Sequence, residues 1–319
     1  MRMRKRYTYT PSVTEGAWAE AGDVDLPRFQ VGAPPQHLIT TLLGDYWISR
    51  PEQLPSAALV RLAEEFGVSA VAARAALSRL ARRELLESSK VGRRTYYRLT
   101  DQAAAVLLNG RQRIMSFGLD QGAWDGAWVV AAFSISEEQR DLRHALRSRL
   151  RWLGFAPLYD GLWVSPTADA GDAAAVLAEL EVPTSTIFRA QPLDLAGMRT
   201  PQEAWDFDQL RRTYEGFAAQ YSPLLVRVRK GAVSASEALV ARTGIMDTWR
   251  TFPNHDPDLP AELLPADWPR SAARDVFVEI YDTLGPLAEF RVKQIVAEFD
   301  PSLAELVAHH RTSLILAPR

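Results

Sequence analysis

The sequence predicts an α+β protein built from more than one domain, and three observations carry that prediction. Helical apolar patterns over residues 36–82 run directly into two short stretches with strand character. Residues 128–190 then alternate strand and helix patterns in the order β-α-β-β-α-β. Beyond residue 200 only helical patterns recur. A chain of 319 residues has room for two or three such domains.

Composition narrows the class. Apolar residues make up 47% and charged residues 24%, the balance of a soluble globular protein with a net charge of −2. There is no cysteine, which excludes disulfides, cysteine nucleophiles and thiolate metal sites and agrees with a cytoplasmic location. No apolar run approaches the roughly 18 residues a membrane-spanning helix needs. Residues 1–34 lack periodicity and read as a flexible arm. Its basic head (Arg2, Arg4, Lys5, Arg6) has no apolar segment behind it, so it is not a secretory signal.

The first domain is expected over residues 35–118. A helix at 36–49 turns Leu38, Ile39, Leu42, Leu43 and Tyr46 inward. Pro55-Ser56 opens a second helix at 57–66, and Gly67 stops it. Ser69 is placed to cap a third, whose apolar face is Ala73, Ala76, Leu77 and Leu80. At 100° per residue the opposite face carries Val71, Ala75, Ser78 and Arg82, flanked by Arg74 and Arg79. Two short strands follow, at 85–87 and 95–99, joined by Lys90-Val91-Gly92-Arg93-Arg94. This is the pattern of a winged helix-turn-helix. Its third helix suits a DNA major groove: small side chains permit close approach, methyls meet thymine methyls, and guanidiniums reach phosphates or guanine edges. The expected DNA-contacting residues are Ser69, Val71, Arg74, Ser78, Arg79, Arg82, Lys90, Gly92, Arg93, Arg94 and Tyr96. In a chain that is slightly acidic overall, only Glu84 and Glu87 oppose the cations of this stretch. The bland alternative is a solvated amphipathic helix with an ordinary hairpin behind it.

Gly118, Gly122 and Gly126 break periodicity and mark a boundary. The middle domain is expected over 124–198: a strand at 128–133, apolar on both faces, and a helix at 137–153 with Leu142, Leu146, Leu150 and Leu153 buried. A hairpin turning at Asp160-Gly161, a helix at 171–181 and a strand at 184–190 complete it. That order is the ferredoxin-like split βαβ arrangement, read here as a dimerisation domain through its strands and the helix bearing Arg140, Arg143, Arg147 and Arg151. An all-α C-terminal domain is expected over 199–319, with helices at 205–230, 234–250 and 270–299, the last bent near Gly285-Pro286. Between the last two helices, residues 251–269 hold five prolines and read as a rigid loop.

Catalytic chemistry finds little support. Of the five histidines, His309 and His310 are adjacent and diverge on a helix, and His37 and His144 stand alone. There is no nucleotide-binding glycine fingerprint, zinc spacing or nucleophile elbow, so no catalytic residue, metal ligand or cofactor is assigned. A small-molecule effector is the better use for the C-terminal part. Arg242, Trp249, Arg250, His255, Trp268 and Arg274 are the candidates: aromatic rings hold an acyl or adenine group, and arginines pair with phosphates through forked hydrogen bonds. The competing reading is that the tryptophans only pack a helical core.

With these residues in view, the chain resembles the PaaX family, repressors of phenylacetic-acid degradation operons, over roughly residues 38–299. The likeness rests on Ser69, Arg74, Ala76-Leu77-Ser78-Arg79-Leu80, Gly92-Arg93 and Tyr97-Arg98-Leu99-Thr100 in the first domain. In the second it rests on Trp128, the arginine-rich helix, Gly154-Phe155, Gly161, Trp163 and Pro166. In the third it rests on Trp249-Arg250, Asp256-Pro257, Leu259-Pro260, Leu263-Leu264-Pro265 and Trp268, the most specific string. The first domain is also similar, less specifically, to GntR-type regulators. The resemblance implies a homodimeric repressor released from its operator by an aryl- or acyl-CoA. Asp247 stands where the family pattern has a histidine, so the resemblance does not carry phenylacetyl-CoA itself to this chain. The middle domain is also similar to the small nuclease-like proteins of CRISPR adaptation, which leaves a nucleic-acid-processing protein as the alternative. Those proteins end their first strand on an aspartate, whereas Phe133-Ser134-Ile135-Ser136 stands there in this chain.

Overall fold

The computed structural model describes residues 34–48, 50–119, 123–193 and 197–315. The arm expected over residues 1–34, with Arg2, Arg4, Lys5 and Arg6, lies outside them except for Pro34, where the first helix starts. The fold mixes helices with two small sheets. It gathers into two compact units that do not run consecutively along the chain: Met1–Ser116, Gln220–Arg250 and Asp275–Arg319 in one, Phe117–Ala219 and Thr251–Arg274 in the other.

The first unit begins with α1 (Pro34–Tyr46), a two-residue strand β1 (Leu54–Pro55), α2 (Ser56–Glu64) and α3 (Ala70–Arg82). Leu38, Ile39, Leu42, Leu43 and Tyr46 of α1 are buried, and α1 packs on α3 where Ala73, Ala76, Leu77 and Leu80 are fully buried. The small alanines let the helices approach closely. Ser69 Oγ accepts from Ala72 N at 3.2 Å and so starts α3; such a cap contributes about 1 kcal/mol. The helix ends without a glycine. Glu84 takes the left-handed conformation at φ 56°, while Leu85 N donates to Leu80 O at 3.0 Å and Glu84 N to Ala81 O at 3.0 Å.

The hairpin differs from the sequence expectation. Strands β2 (Leu86–Val91) and β3 (Arg94–Leu99) pair from Leu86↔Leu99 to Val91↔Arg94, which leaves only Gly92-Arg93 as the turn. Lys90 and Arg94 therefore sit in strands, and Gly92 supplies the positive φ of 61° that the tight turn needs. Ser88, Ser89 and Lys90 have no strand signature of their own; pairing with Tyr97, Tyr96 and Thr95 extends β2 over them. β1 was not expected. It adds to the free edge of β3 (Leu54↔Tyr97, Pro55↔Tyr96), an edge position that tolerates proline. Helix α4 (Asp101–Ser116) leads out of the hairpin.

In the second unit, β4 (Trp128–Ser134), α5 (Arg140–Trp152), β5 (Ala156–Tyr159), β6 (Leu162–Ser165), α6 (Ala170–Glu179) and β7 (Thr184–Ala190) build a sheet ordered β5-β6-β4-β7 with every pairing antiparallel. Alternation along β4 loads both faces. Val129 and Ala131 meet Leu146 and Leu150 of α5 and Ala173 and Leu177 of α6. Trp128 and Val130 meet Leu259 and Leu263, so part of the proline-rich segment 251–269 is the cover of the sheet's second face. Gly161 in the β5–β6 turn presses on the backbone of β4: its carbonyl accepts from Phe133 N at 2.8 Å, and a Cβ there would collide with Phe133 O.

Helix α7 (Phe207–Arg229) contributes residues to both units, and α8 (Ala235–Trp249) and α9 (Arg270–Ala297) follow. Ser234 and Glu237 form a reciprocal capping box that starts α8. Helix α9 runs without interruption through Gly285 and Pro286, where the sequence suggests a bend. Short helices α10 (Pro301–Ala304) and α11 (Thr312–Ile315) end the described chain. No helix among the described residues is long and apolar enough to cross a membrane.

Candidate nucleic-acid interface

The outward face of α3 is solvent-exposed at Val71, Arg74, Ser78, Arg79 and Arg82. Val71 is 76% exposed, an unusual place for a branched apolar side chain and a suitable one for a methyl that meets a base. Lys90, Gly92, Arg93 and Arg94 are exposed at the hairpin tip, whereas Tyr96 is half-buried within the three-stranded sheet. Ser69 is exposed, with its hydroxyl engaged on the helix start. Among the described residues, Arg74, Arg79, Arg82, Lys90 and Arg93 make no ion pair. Arg98 belongs to the same basic stretch in sequence but is tied to Glu87 at 2.8 Å and Asp101 at 3.1 Å, so it fastens the hairpin to α4. Unpaired cations around a helix of small outward residues can neutralise phosphates without first breaking internal bridges.

The six effector candidates are divided between the two units. Arg242, Trp249 and Arg250 lie in the first unit; His255, Trp268 and Arg274 lie in the second. Arg242 is fully buried, with its guanidinium 3.7 Å from the centre of the Tyr281 ring and hydrogen-bonded to Tyr281 O, Tyr46 and His310 O. Its charge faces Asp45 at 3.4 Å, and the tyrosine hydroxyls around it are pushed up, that of Tyr46 to about 12, chiefly by burial. Trp249 is also fully buried, stacked on Phe277 at 4.9 Å, and donates to Ile114 O at 3.3 Å. In the second unit, Trp268 stands edge-on to Phe207 and Tyr214 with Arg211 over its ring. Arg274 donates to Phe117 O at 3.1 Å, and His255 is exposed. Asp256 beside it is buried, where it accepts from Tyr214 at 2.6 Å and faces Arg270 at 3.6 Å.

Of the six, Arg250 lines a cleft in the first unit. In the first unit, α1, α4 and α8 enclose a cleft of about 650 Å³, counted out to its open mouth. His37, Asp45, Arg111 and Arg250 give it polar walls, and Ile48, Leu107, Ile114 and Met246 give it apolar ones. Asp45, Arg111 and the residues joining them could not be grouped from the sequence, since they are scattered along more than 200 positions. His37 was visible there only as a solitary histidine.

The arginine-rich α5 is mostly engaged within its own unit: Arg143 with Glu137, Arg147 with Asp160, Arg149 with Glu179, and Arg151 over Trp163. No group of three or more His, Cys, Asp or Glu side chains suited to a metal occurs among the described residues.

Three family descriptions match consecutive stretches: "PaaX-like protein" at residues 35–103, "PaaX protein central Cas2-like domain" at 121–204 and "PaaX-like protein C-terminal domain" at 205–294. The "Transcriptional repressor PaaX" of Escherichia coli (strain K12) is 30% identical over 259 residues, covering 79% of this chain and 80% of that one. The chain belongs to the PaaX family. A solved structure, "Uncharacterized protein Rv0674 from Mycobacterium tuberculosis", superposes with a TM-score of 0.55 at 23% identity, covering 81% of this chain and 96% of that one. That likeness concerns the fold alone. The first of the three PaaX stretches contains the whole exposed basic face of α3 and the hairpin.

Proposed function

We propose that this PaaX-family chain is a ligand-responsive transcriptional repressor that reads double-stranded DNA, acts in the cytoplasm and is not an enzyme. In this reading α2, α3 and the β2–β3 hairpin are a winged helix-turn-helix, and the β5-β6-β4-β7 sheet is a ferredoxin-like domain. The observation that carries it is the outward face of α3: an exposed Val71, with Arg74, Arg79 and Arg82 free of internal ion pairs. Arg74, Ser78 and Arg82 recur at four-residue spacing, so one side of the helix meets the groove floor while the wing cations Lys90, Arg93 and Arg94 flank the phosphates.

One such helix covers too few base pairs for genomic specificity, which favours a two-fold dimer on paired half-sites. The middle domain is the proposed seam. Light scattering on the free protein and on its DNA complex tests this, and a monomer on a single half-site would end it. By family likeness the effector is of the aryl- or acyl-CoA type, with Arg250 among its candidate contacts. The direct test selects bound duplexes from a random library and then titrates one in rising salt. A sequence-selective complex with a steep salt dependence is expected; equal binding of all duplexes would refute the repressor reading. Against the nuclease-like alternative, β4 ends on Phe133-Ser134, which offers no carboxylate.

A further inference from the structure

Helix α3 carries one side chain that its folding does not require. Val71, the second residue of the helix, is 76% exposed, while the buried stripe of Ala73, Ala76, Leu77 and Leu80 packs without it. A β-branched side chain loses rotamer freedom against the turn before it, so valine is a poorer helix former than the alanines on either side. Alanine would serve the helix better, and an isopropyl group held in water stabilises nothing. The composition of the helix narrows what that group can meet. No Asn, Gln, Asp or Glu occurs in α3, and these are the side chains that pair with the hydrogen-bonding edges of adenine and cytosine. On the same face as Val71 stand Arg74, the small Ala75 and, one turn further, Ser78.

We infer that Val71 reads the 5-methyl group of a pyrimidine in the major groove, thymine or 5-methylcytosine in its place, so that binding responds to cytosine methylation. This deepens the DNA-reading role proposed for α3 above and rests on it. The first turn of a recognition helix is the part that approaches base edges. Val71 lies in that turn, which Ser69 Oγ fixes by accepting from Ala72 N. Among the groups that base pairs present in the major groove, the C5 methyl of thymine is the apolar one. An isopropyl group laid against it removes apolar surface of both partners from water. The χ1 angle of a helical valine is nearly fixed already, so little rotamer freedom is lost on contact. 5-Methylcytosine carries the same methyl at the same edge, whereas cytosine and uracil lack it.

The test uses the full chain and a duplex selected from a random library, with one pyrimidine altered at a time and binding read by gel shift. At one thymine or more, uracil is expected to weaken binding about fourfold, the contribution of one methyl removed from water. At the same position 5-methylcytosine should bind about fourfold more tightly than cytosine. In Val71→Ala both ratios should fall to about one, while the melting temperature equals the parent's or rises. Val71→Ile keeps the branched group and should keep both ratios. The signs separate base reading from a structural role: a valine that only packed would lose stability on truncation and leave the ratios intact. The inference is overturned if no thymine is distinguished from uracil, or if the ratios persist in Val71→Ala; selective binding in either case leaves the repressor reading standing. If no duplex is selected at all, both fall together.

Discussion

His37 Nε2 lies 3.1 Å from Asp247 Oδ1, deep in the first unit, and joins α1 to α8. Arg250 shares both partners, 3.4 Å from His37 Nδ1 and 3.5 Å from Asp247. The imidazole that faces Asp247 arrives from α1, 210 residues earlier in the chain. Removing Asp247 strips a buried imidazole and a guanidinium of an acceptor at once. Asp247→Ala is expected to lower stability by about 2 kcal/mol or more. A double-mutant cycle with His37→Ala should return a coupling of about 1–3 kcal/mol. Additive losses in urea denaturation would show that the pair contributes nothing jointly.

Arg242 and Trp249 are expected to act on stability and not on ligand affinity. Arg242→Ala leaves Asp45 buried beside two tyrosines and should cost about 3–5 kcal/mol. Trp249→Ala removes a fully buried ring stacked on Phe277, a loss of about 3–5 kcal/mol. Calorimetric melting checks both. A normal melting temperature in either variant, accompanied by loss of effector response, would return that residue to the effector site.

Glu65, just beyond the end of α2, accepts from Arg291 of α9 at 2.7 and 3.1 Å and from Ser236 of α8 at 2.5 Å. The Arg291 hydrogen bonds are the main cause that holds its carboxyl at about 2, below its ordinary value of 4.5. Because the folded value is depressed, the unfolded chain takes up the proton first. The stabilising contribution is full above about pH 4.5 and is lost as pH falls toward 2. The parent should therefore exceed Glu65→Gln by up to about 1 kcal/mol at pH 6, given the partial solvent screening. That margin should shrink below pH 4 and close as pH approaches 2. Urea midpoints across this range decide it, and a margin independent of pH would assign the effect to packing.

Arg93→Ala and Arg94→Ala are expected to weaken every duplex about equally and to reduce the slope of log affinity against log salt by roughly one unit per lost phosphate contact. Ser78→Ala should instead alter base preference with an unchanged slope. Operator binding that survives the Arg74/Arg93/Arg94 triple alanine variant would remove this face from the account.

Glu84 ends α3 at φ 56°, a conformation that strains any residue with a Cβ. Glu84→Gly should raise stability by about 1 kcal/mol, because the loss of strain outweighs the added freedom of the unfolded chain. No gain in thermal midpoint would mean that the Glu84 side chain contributes contacts of equal size.

Local pattern by itself determined the element order, the buried faces of α1 and α3, the Ser69 cap and the exposed basic face beside it. Each depends on residues within one or two helical turns, where periodicity and capping chemistry act directly. Tertiary structure decided the rest. β1 exists because an edge of β3 was free, and β2 runs to Val91 because its partner strand does. The proline-rich segment, which reads in sequence only as a rigid loop, places Leu259 and Leu263 on the sheet, since β4 has two apolar faces and α5 and α6 cover one of them. Arg242 and Trp249 have the composition of a ligand site, but composition does not state burial; Tyr281 and Phe277, some 30 to 40 residues away, enclose them. The cleft joins His37, Arg111 and Arg250 from three separate helical segments. No local pattern relates side chains at such separations, because only the packing of distant helices sets where they meet.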